Sequence, residues 1–241
     1  MARFFTKISG LAFGMLAVGP ATNADAQSPA NMDQIQVLLS QPSDPLARAA
    51  ARSQTGDDQS LDLQAQGTHT HITVDQTGQG HSAELVVEGD HNTATLTQTG
   101  AYHDARLSVR GEDNQARLSQ TGEDHQARLS QQGGFNYGLL EQTGFLNAAS
   151  LFQFGEGNFG HIQQSDDNNR ARLYQNGDNN FGVIEQTGTG NAADLTQYGD
   201  NLSYSIIQSG GEDVSVTQTG QGASVAIYQT NLYAPLQGGG S

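Results

Sequence analysis

Glycine recurs at every eleventh position across most of this chain. Between Gly56 and Gly210, fourteen of the fifteen positions at that spacing are glycine, and Asp166 is the exception. Only about one residue in eight of the whole chain is glycine, so this regularity marks one short structural unit that is copied many times. Such copies stack into an elongated array, which excludes most enzyme folds. Glycine readily adopts positive φ, so we expect turns at positions such as Gly78, Gly100, Gly122, Gly144 and Gly188.

Each eleven-residue unit has the pattern Gly-x-x-Asn-x-Ala-x-Leu-x-Gln-x. The Asn, Ala, Leu and Gln positions alternate, so in an extended strand their side chains point to one side. A helix would require apolar spacings of three and four, and the pattern therefore predicts one short strand and a tight turn per unit. The Leu position never holds a polar residue, and it includes Leu96, Leu107, Leu118, Leu129, Leu140, Leu151, Leu173 and Leu195.

Two consecutive units together form the structural repeat, which is therefore twenty-two residues long. In one set of alternate units the Gln position never varies, whereas in the other set it begins as Ala65, Val87 and Val109. Residues twenty-two apart thus share an environment, as they would if they were stacked over each other. The invariant set is Gln54, Gln76, Gln98, Gln120, Gln142, Gln164, Gln186, Gln208 and Gln229, and the other set continues as Gln131, Gln153, Gln175, Gln197 and Gln218.

These patterns predict an all-β protein, a two-sheet parallel β-solenoid of about eight rungs over residues 54–231. Each rung is strand, turn, strand, and eight rungs at about 4.8 Å each give a stack of roughly 40 Å. The inward Leu and Ala columns form a thin core, flanked by amides that hydrogen-bond along the stack in an amyloid-like ladder. We expect Asn147, Asn169 and Asn191 to belong to this ladder.

The two ends of the chain do not follow the repeat. Residues 1–26 have the basic start, apolar stretch and small-residue cleavage site of a signal peptide, and the apolar stretch is too short to span a membrane. Residues 27–53 are predicted to be a leader or targeting segment, in which residues 32–39 fit a short amphipathic helix. Residues 232–241 are predicted to be a flexible tail.

Composition restricts the chemistry and the partners. The chain has no cysteine, which excludes disulfides and cysteine-based metal sites. Removal of residues 1–26 changes the net charge from −15 to −16, which argues against nucleic acid and anionic membranes as partners. Histidine, aspartate and serine recur as members of columns and do not converge on a pocket, so we predict no catalytic residues, no cofactor and no enzyme activity.

Secretion, the absence of cysteine and the tandem motif together resemble the curlin repeat of curli fibre subunits. Residues 120–131 read QTGEDHQARLSQ and residues 186–197 read QTGTGNAADLTQ, with four residue types at fixed offsets. The resemblance covers residues 54–231, about three quarters of the chain. It implies a functional amyloid subunit that is exported through an outer-membrane pore, assembles with itself and with a second curlin subunit as nucleator or polymer, and forms adhesive biofilm fibres outside the cell.

The chain departs from that family in three ways. Residues 27–53 lack a Gly- and Asn-rich leader, eight rungs exceed the usual handful, and the last repeat is not basic as in the nucleating subunit. The missing leader is one expected of the major subunit, whereas the missing basic repeat favours a major-type subunit over the nucleating one.

Three columns leave alternatives open. His81, His103 and His125 share an Asn position, where they either bind a transition metal or replace Asn as neutral hydrogen-bonding groups. Tyr137, Phe159 and Phe181 precede glycines, where they either cover bare backbone or form a contact between fibrils. An acidic turn column is a solvated face, a gatekeeper against early aggregation or a divalent-ion site, and it comprises Asp90, Glu112, Glu156, Asp178 and Asp200.

Two other functions would use the same fold. An ice-binding solenoid needs a flat face of regular threonine columns, and threonine here is concentrated beside the turn glycines. A monomeric adhesin or ligand-binding surface protein would need ends capped by a different sequence, and the last unit is almost an ordinary repeat.

Overall fold

The computed structural model describes residues Asp25–Gln27, Gln34–Leu39 and 48–230, and side chains from Arg52 onward. These residues form strands and turns, without a helix in the described ranges. The strands are β1 Asp25–Gln27, β2 Gln34–Leu39, β3 Arg48–Asp57, β4 Ser60–Gln66, β5 Thr70–Gln79, β6 Ser82–Glu88, β7 Thr93–Ala101, β8 Asp104–Glu112, β9 Gln115–Glu123, β10 Gln126–Gly134, β11 Tyr137–Phe145, β12 Ala148–Glu156, β13 Phe159–Gln164, β14 Arg170–Asn176, β15 Phe181–Thr187, β16 Ala192–Asp200, β17 Ser203–Ser209, β18 Asp213–Gln221 and β19 Ser224–Thr230.

Alternate strands form two parallel sheets. The odd-numbered strands make a ten-stranded first sheet and the even-numbered strands a nine-stranded second sheet, each in chain order. Over most of the array the register is twenty-two residues, so that Leu118 pairs with Leu140 in the first sheet and Leu129 with Leu151 in the second. The sixteen strands from β4 to β19 make eight rungs. The structure thus confirms the predicted two-sheet parallel β-solenoid.

The core is a single layer between the two sheets. Its largest members are the side chains of the Leu position, which are almost completely buried along the stack. Alanines such as Ala105 and Ala127 are buried beside them. One leucine and one alanine per strand bury little apolar area, so hydrogen bonding along the stack has to satisfy the rest of the interior. The fully buried leucines include Leu96, Leu107, Leu118, Leu129, Leu140, Leu151, Leu173 and Leu195.

The short helix predicted over residues 32–39 is wrong. Gln34–Leu39 is strand β2, which pairs in parallel with β4, and Ile35, Val37 and Leu39 occupy the columns of Leu61, Leu63 and Ala65. Ile35, Val37 and Leu39 stand at alternate positions although Leu38 is apolar too, and a neighbouring strand edge favours this period of two over a short isolated helix. Strand β1 likewise places Gln27 in register with Gln54.

The other segments predicted at the ends lie mostly outside the described residues. Strand β1 crosses the predicted cleavage point after Ala26, and the rest of the signal peptide and residues 231–241 are outside the described ranges. The signal peptide, the targeting role of residues 27–53 and the flexible tail therefore remain predictions.

Glycines in the Ala column of the first sheet make room for the opposite sheet. A Cβ on Gly160 would lie 2.6 Å from Cδ1 of Leu151, and a Cβ on Gly182 would lie 2.7 Å from Cδ1 of Leu173. These distances are too short for ordinary packing, so leucines of the second sheet occupy the space that a side chain would need. Packing against leucines inside the core therefore explains why these positions are glycine, without any contribution from the aromatic rings on the outer face.

Candidate functional site

The invariant glutamines form one continuous ladder inside the first sheet. The Nε2 of each glutamine donates to Oε1 of the glutamine one rung later, from Gln54 to Gln229, with donor–acceptor distances of 2.6–3.3 Å. Every bond runs in the same direction, so the ladder is polar along the solenoid axis. The members are Gln54, Gln76, Gln98, Gln120, Gln142, Gln164, Gln186, Gln208 and Gln229.

The second amide proton of these glutamines crosses to the other sheet. In Gln142, Nε2 also donates to the backbone carbonyl of Gln126 at 3.1 Å, and Gln164 does the same to Ala148 at 3.2 Å. Both N–H groups and the oxygen of such a side chain are therefore paired. A buried amide is costly when unpaired, and this arrangement removes that cost at each rung.

The ladder of the second sheet is shorter. It runs through Gln131, Gln153, Gln175, Gln197 and Gln218 with distances of 2.9–3.2 Å. Its first member stands above Val109, which has no amide to donate, and Oε1 of Gln131 is buried without a hydrogen-bond partner. The substitutions seen in the sequence thus mark where one ladder ends.

Asparagines hold the turns. Nδ2 of Asn169 donates to the carbonyls of Ser165 and Gly188 at 2.7 Å each, and its Oδ1 accepts the backbone N–H of Asn191. Asn147 makes the equivalent bonds, including one from Asn169 N–H to its Oδ1 at 2.8 Å. The predicted set Asn147, Asn169 and Asn191 thus lies together in one column, where each side chain links two rungs.

A second asparagine column was missed as a site by the sequence analysis. It serves the turns at the other edge of the solenoid with the same bonds, for example from Nδ2 of Asn136 to the Gly155 carbonyl at 2.8 Å. The signal was present in the sequence, because these residues also lie three positions after a repeat glycine. The column comprises Asn92, Asn114, Asn136, Asn158 and Asn180.

The repeat glycines sit at the corners with φ values that other residues rarely adopt. Gly122 has φ +125°, and a Cβ there would overlap the carbonyl oxygen of Gly144 one rung later. Gly78, Gly100 and Gly144 are alike, whereas Gly188 has φ +88° and a less crowded site. Glycine is therefore required at most corners by both backbone conformation and the close approach of the next rung.

The comparisons with known proteins bear directly on this array. The family description "curlin associated repeat" matches residues 71–100 and 167–199, which include strands from both sheets. These two ranges of the chain match curlin repeats. No curated protein and no solved structure gave a match. Curlin repeats in a β-solenoid indicate a structural protein rather than an enzyme.

The histidines of the column His81, His103 and His125 make the hydrogen bonds of asparagine. Nε2 of His103 lies 3.0 Å from the Thr99 carbonyl, and its Nδ1 lies 3.3 Å from the backbone nitrogen of His125. Nε2 must donate to a carbonyl and Nδ1 must accept from an N–H, so the ring is neutral and both nitrogens are engaged. The rings of His81, His103 and His125 stack at 4.9 Å. This geometry favours the asparagine-substitute interpretation over metal binding.

Burial depresses the basicity of this histidine column. Desolvation lowers the pKa of His103 to about 4, with smaller contributions from the two neighbouring imidazoles. Burial also lowers the pKa of His81 and of His125, although hydrogen bonds to the Thr77 and Thr121 carbonyls oppose the shift. Protonation would place a second N–H on Nδ1, facing the backbone N–H that it now accepts.

We expect the solenoid to lose stability as the pH falls from about 6.5 to about 4. The unfolded chain binds more protons than the folded chain in this window, so the free energy of unfolding decreases with falling pH, by on the order of 2 kcal/mol. Denaturant unfolding at pH 7.5 and 4.5 measures the difference. The matched variant H81N/H103N/H125N retains the carbonyl and N–H bonds and should flatten the dependence. An equally steep pH dependence in both proteins would contradict this assignment.

Most of the acidic turn column is exposed, and some members bond to the backbone. Oδ1 of Asp178 accepts the N–H of Glu156 at 2.8 Å, and Oδ1 of Asp200 accepts the N–H of Asp178 at 2.9 Å. Asp90 binds the N–H and hydroxyl of Thr68, and these bonds lower the pKa of the Asp90 carboxyl group. These contacts give the column a structural part in the turns, and no three metal-ligating side chains converge within the described residues.

The last rung exposes the columns that are buried elsewhere. Val225 is 45% exposed, whereas Tyr204, its partner in register on the preceding strand, is 2% exposed. Ile227 is half-buried, whereas its partner Ile206 is completely buried. In the described part of the chain no strand follows β19 or β18 in either sheet. Within the described residues, the edge of each sheet and the end of the apolar columns are thus uncovered at this end.

The described residues contain no helix of the length and apolarity that crossing a membrane requires.

Proposed function

We propose that this chain is a secreted structural subunit that assembles into extracellular curli-like amyloid fibres for adhesion and biofilm matrix. The observation that carries the proposal is the exposed end rung, where Val225 and Ile227 continue columns that are buried in the rest of the array. Unpaired strand edges and exposed apolar residues together form a template for another layer of the same kind.

The ladder polarity favours head-to-tail addition. At the C-terminal end the last glutamine of each ladder has no following glutamine within the described residues. Nε2 of Gln218 donates to the Ala223 carbonyl instead, and Nε2 of Gln229 donates to the Glu212 carboxylate. Each bond of the ladder runs from an Nε2 donor to the Oε1 acceptor of the next rung toward the C terminus, so a copy joined by its other end would have to present an acceptor oxygen. Joining donor end to acceptor end extends the ladder, whereas joining two donor ends leaves buried N–H groups unpaired.

The resemblance to curli subunits supports the remaining parts of the proposal. It implies self-assembly, a second curlin subunit as nucleator or polymer, and export through an outer-membrane curli pore after removal of residues 1–26. The net charge of −15 argues against nucleic acid as a partner.

Incubation of purified residues 27–241 tests the proposal. We expect thioflavin-positive filaments that give a fibre-diffraction spacing of about 4.8 Å along the axis. I227K should block growth because each added rung would bury the lysine, whereas A226K, whose side chain starts from the exposed neighbouring position, should assemble normally. A lasting monomer would contradict the proposal and favour the capped adhesin. Equal growth of both variants would contradict addition at this end.

A further inference from the structure

The outer faces of both sheets carry aromatic residues at the same level of the stack. On the first sheet the rings of Tyr137, Phe159 and Phe181 stack with centroids 5.4 and 4.9 Å apart and planes within 7°. On the second sheet Phe152, Phe154, Tyr174 and Tyr198 form a cluster with centroids 5.5–6.4 Å apart, and their planes are tilted by 41–53°. Parallel sheets are normally covered on both faces, so this pair of uncovered aromatic faces is unusual.

The two faces differ in charge. Arg128 lies over the ring of Phe152 at 5.2 Å and Arg172 over that of Tyr174 at 5.6 Å. Arg170 is exposed on the same face, where Asp194 pairs with Arg172. Glu156, the last residue of β12, is the other acidic residue on β10, β12, β14 and β16 between residues 126 and 198. Three arginines against two carboxylates leave the second-sheet face weakly positive within an acidic protein.

The first-sheet face has the opposite charge. Its outward residues on β11, β13 and β15 include Glu141 and Glu185, and neither arginine nor lysine occurs on these three strands. His161 lies 4.0 Å from the Glu141 carboxylate. Like faces brought together would repel, whereas unlike faces attract.

We propose that the second-sheet face around Phe152 and Tyr174 binds the first-sheet face around Phe159 of another copy, so that filaments associate side by side. The ring geometry fits this pairing, because stacked rings expose their edges and the tilted cluster exposes parts of ring faces, and edge-to-face contacts are favourable. A sugar would need an open ring face, and the faces on the first sheet are covered by their neighbours. The inference rests on the filament proposed above.

The small area of the contact determines whether monomers or only filaments associate through it. Three rungs by one strand length give roughly 300 Å² per face, well below the roughly 800 Å² per partner of a stable complex. One pair of monomers should therefore not associate laterally. A filament repeats the contact once per copy, and the summed contacts hold two filaments together. Side-by-side association should thus follow elongation.

A charge exchange tests the contact. The variant R128E/R172E makes the second-sheet face acidic, and E141R/E185R makes the first-sheet face basic. Each variant alone should reduce the fraction of laterally paired filaments about ten-fold in electron micrographs, while thioflavin growth is unchanged. The variant that combines all four substitutions restores opposite charges and should restore pairing. R117E changes a charge on β9 of the first sheet, one strand before the first aromatic strand of that sheet, and serves as the control.

The outcomes separate this inference from the proposed function. Wild-type-like pairing in both single-face variants, or failure of the four-fold variant to regain pairing, would overturn the lateral contact while leaving the filament intact. Pairing that requires added polysaccharide would also overturn it, because the occupant would then be a sugar. Absence of filaments from the wild-type chain would overturn both proposals.

Discussion

Replacing Gly122 with alanine is expected to destabilise the solenoid by on the order of 3 kcal/mol or more. Gly122 has φ +125°, and an added Cβ would overlap the backbone oxygen of Gly144, which is held in place by the in-register sheet. A rotamer change cannot relieve a clash between a Cβ and a backbone atom, so two rungs must separate. The free energy of unfolding of the purified chain measures the loss, and the yield of filaments should fall with it.

Neighbouring glycines supply the controls. Gly134 lacks a positive φ, and its added Cβ would approach no atom closer than the Glu112 carbonyl oxygen at 3.6 Å, so G134A should be nearly neutral. G188A keeps the strain of φ +88°, but its nearest contact would be 3.3 Å from Gly210 N, and its effect should be intermediate. Equal stability of G122A and G134A would contradict the packing described here.

Replacing Gln164 with leucine is expected to cost about 2–5 kcal/mol, since it leaves two buried polar groups unpaired. Nε2 of Gln142 loses its acceptor and Oε1 of Gln186 loses its donor, and both side chains are 1% exposed. The size of the side chain is nearly conserved, so the loss reports on hydrogen bonding rather than on a cavity. Chemical denaturation measures the change.

The adjacent residue provides the matched control for this prediction. Gln163 lies on the same strand with its side chain exposed, and Q163L makes the same chemical change outside the ladder. We expect Q163L to remain within about 0.5 kcal/mol of the wild type. If Q163L and Q164L were equally stable, the continuous amide ladder would not contribute to stability as described.

The period of the sequence predicted the fold because equivalent positions of successive rungs have the same structural environment. Leu129 and Gln131 recur at twenty-two residues as Leu151 and Gln153, and those pairs are in register in the structure. A column that contains only apolar residues, or only glutamine, identifies which face of each strand points to the core. The histidine column could be interpreted in two ways from sequence, and the positions of Nδ1 and Nε2 were needed to choose between them.

Other features have no comparable signal in the sequence. A second left-handed position follows each corner by two residues, and it accepts Tyr102, Phe135 and Leu146 with φ of 55–57°. Most residues at this position are Asp, Asn, His or Gly, which favour the left-handed conformation, but the stacked rungs also impose it on these three residues, which carry no such signal. Strand β2 was not predicted because the apolar spacing of residues 34–39 is ambiguous. Only its pairing with the edge of β4, which the sequence does not reveal, decides in favour of a strand.

The central claim is that residues twenty-two apart lie over one another, and cysteine cross-linking tests it most directly because the chain has no cysteine. Ser108 and Ser130 are paired in register on the second sheet, whereas Ser119, eleven residues from each, lies on the first sheet. A short thiol cross-linker followed by mass spectrometry should join S108C to S130C within one chain and should fail to join S108C to S119C. Efficient joining of positions 108 and 119, with none between 108 and 130, would contradict the solenoid.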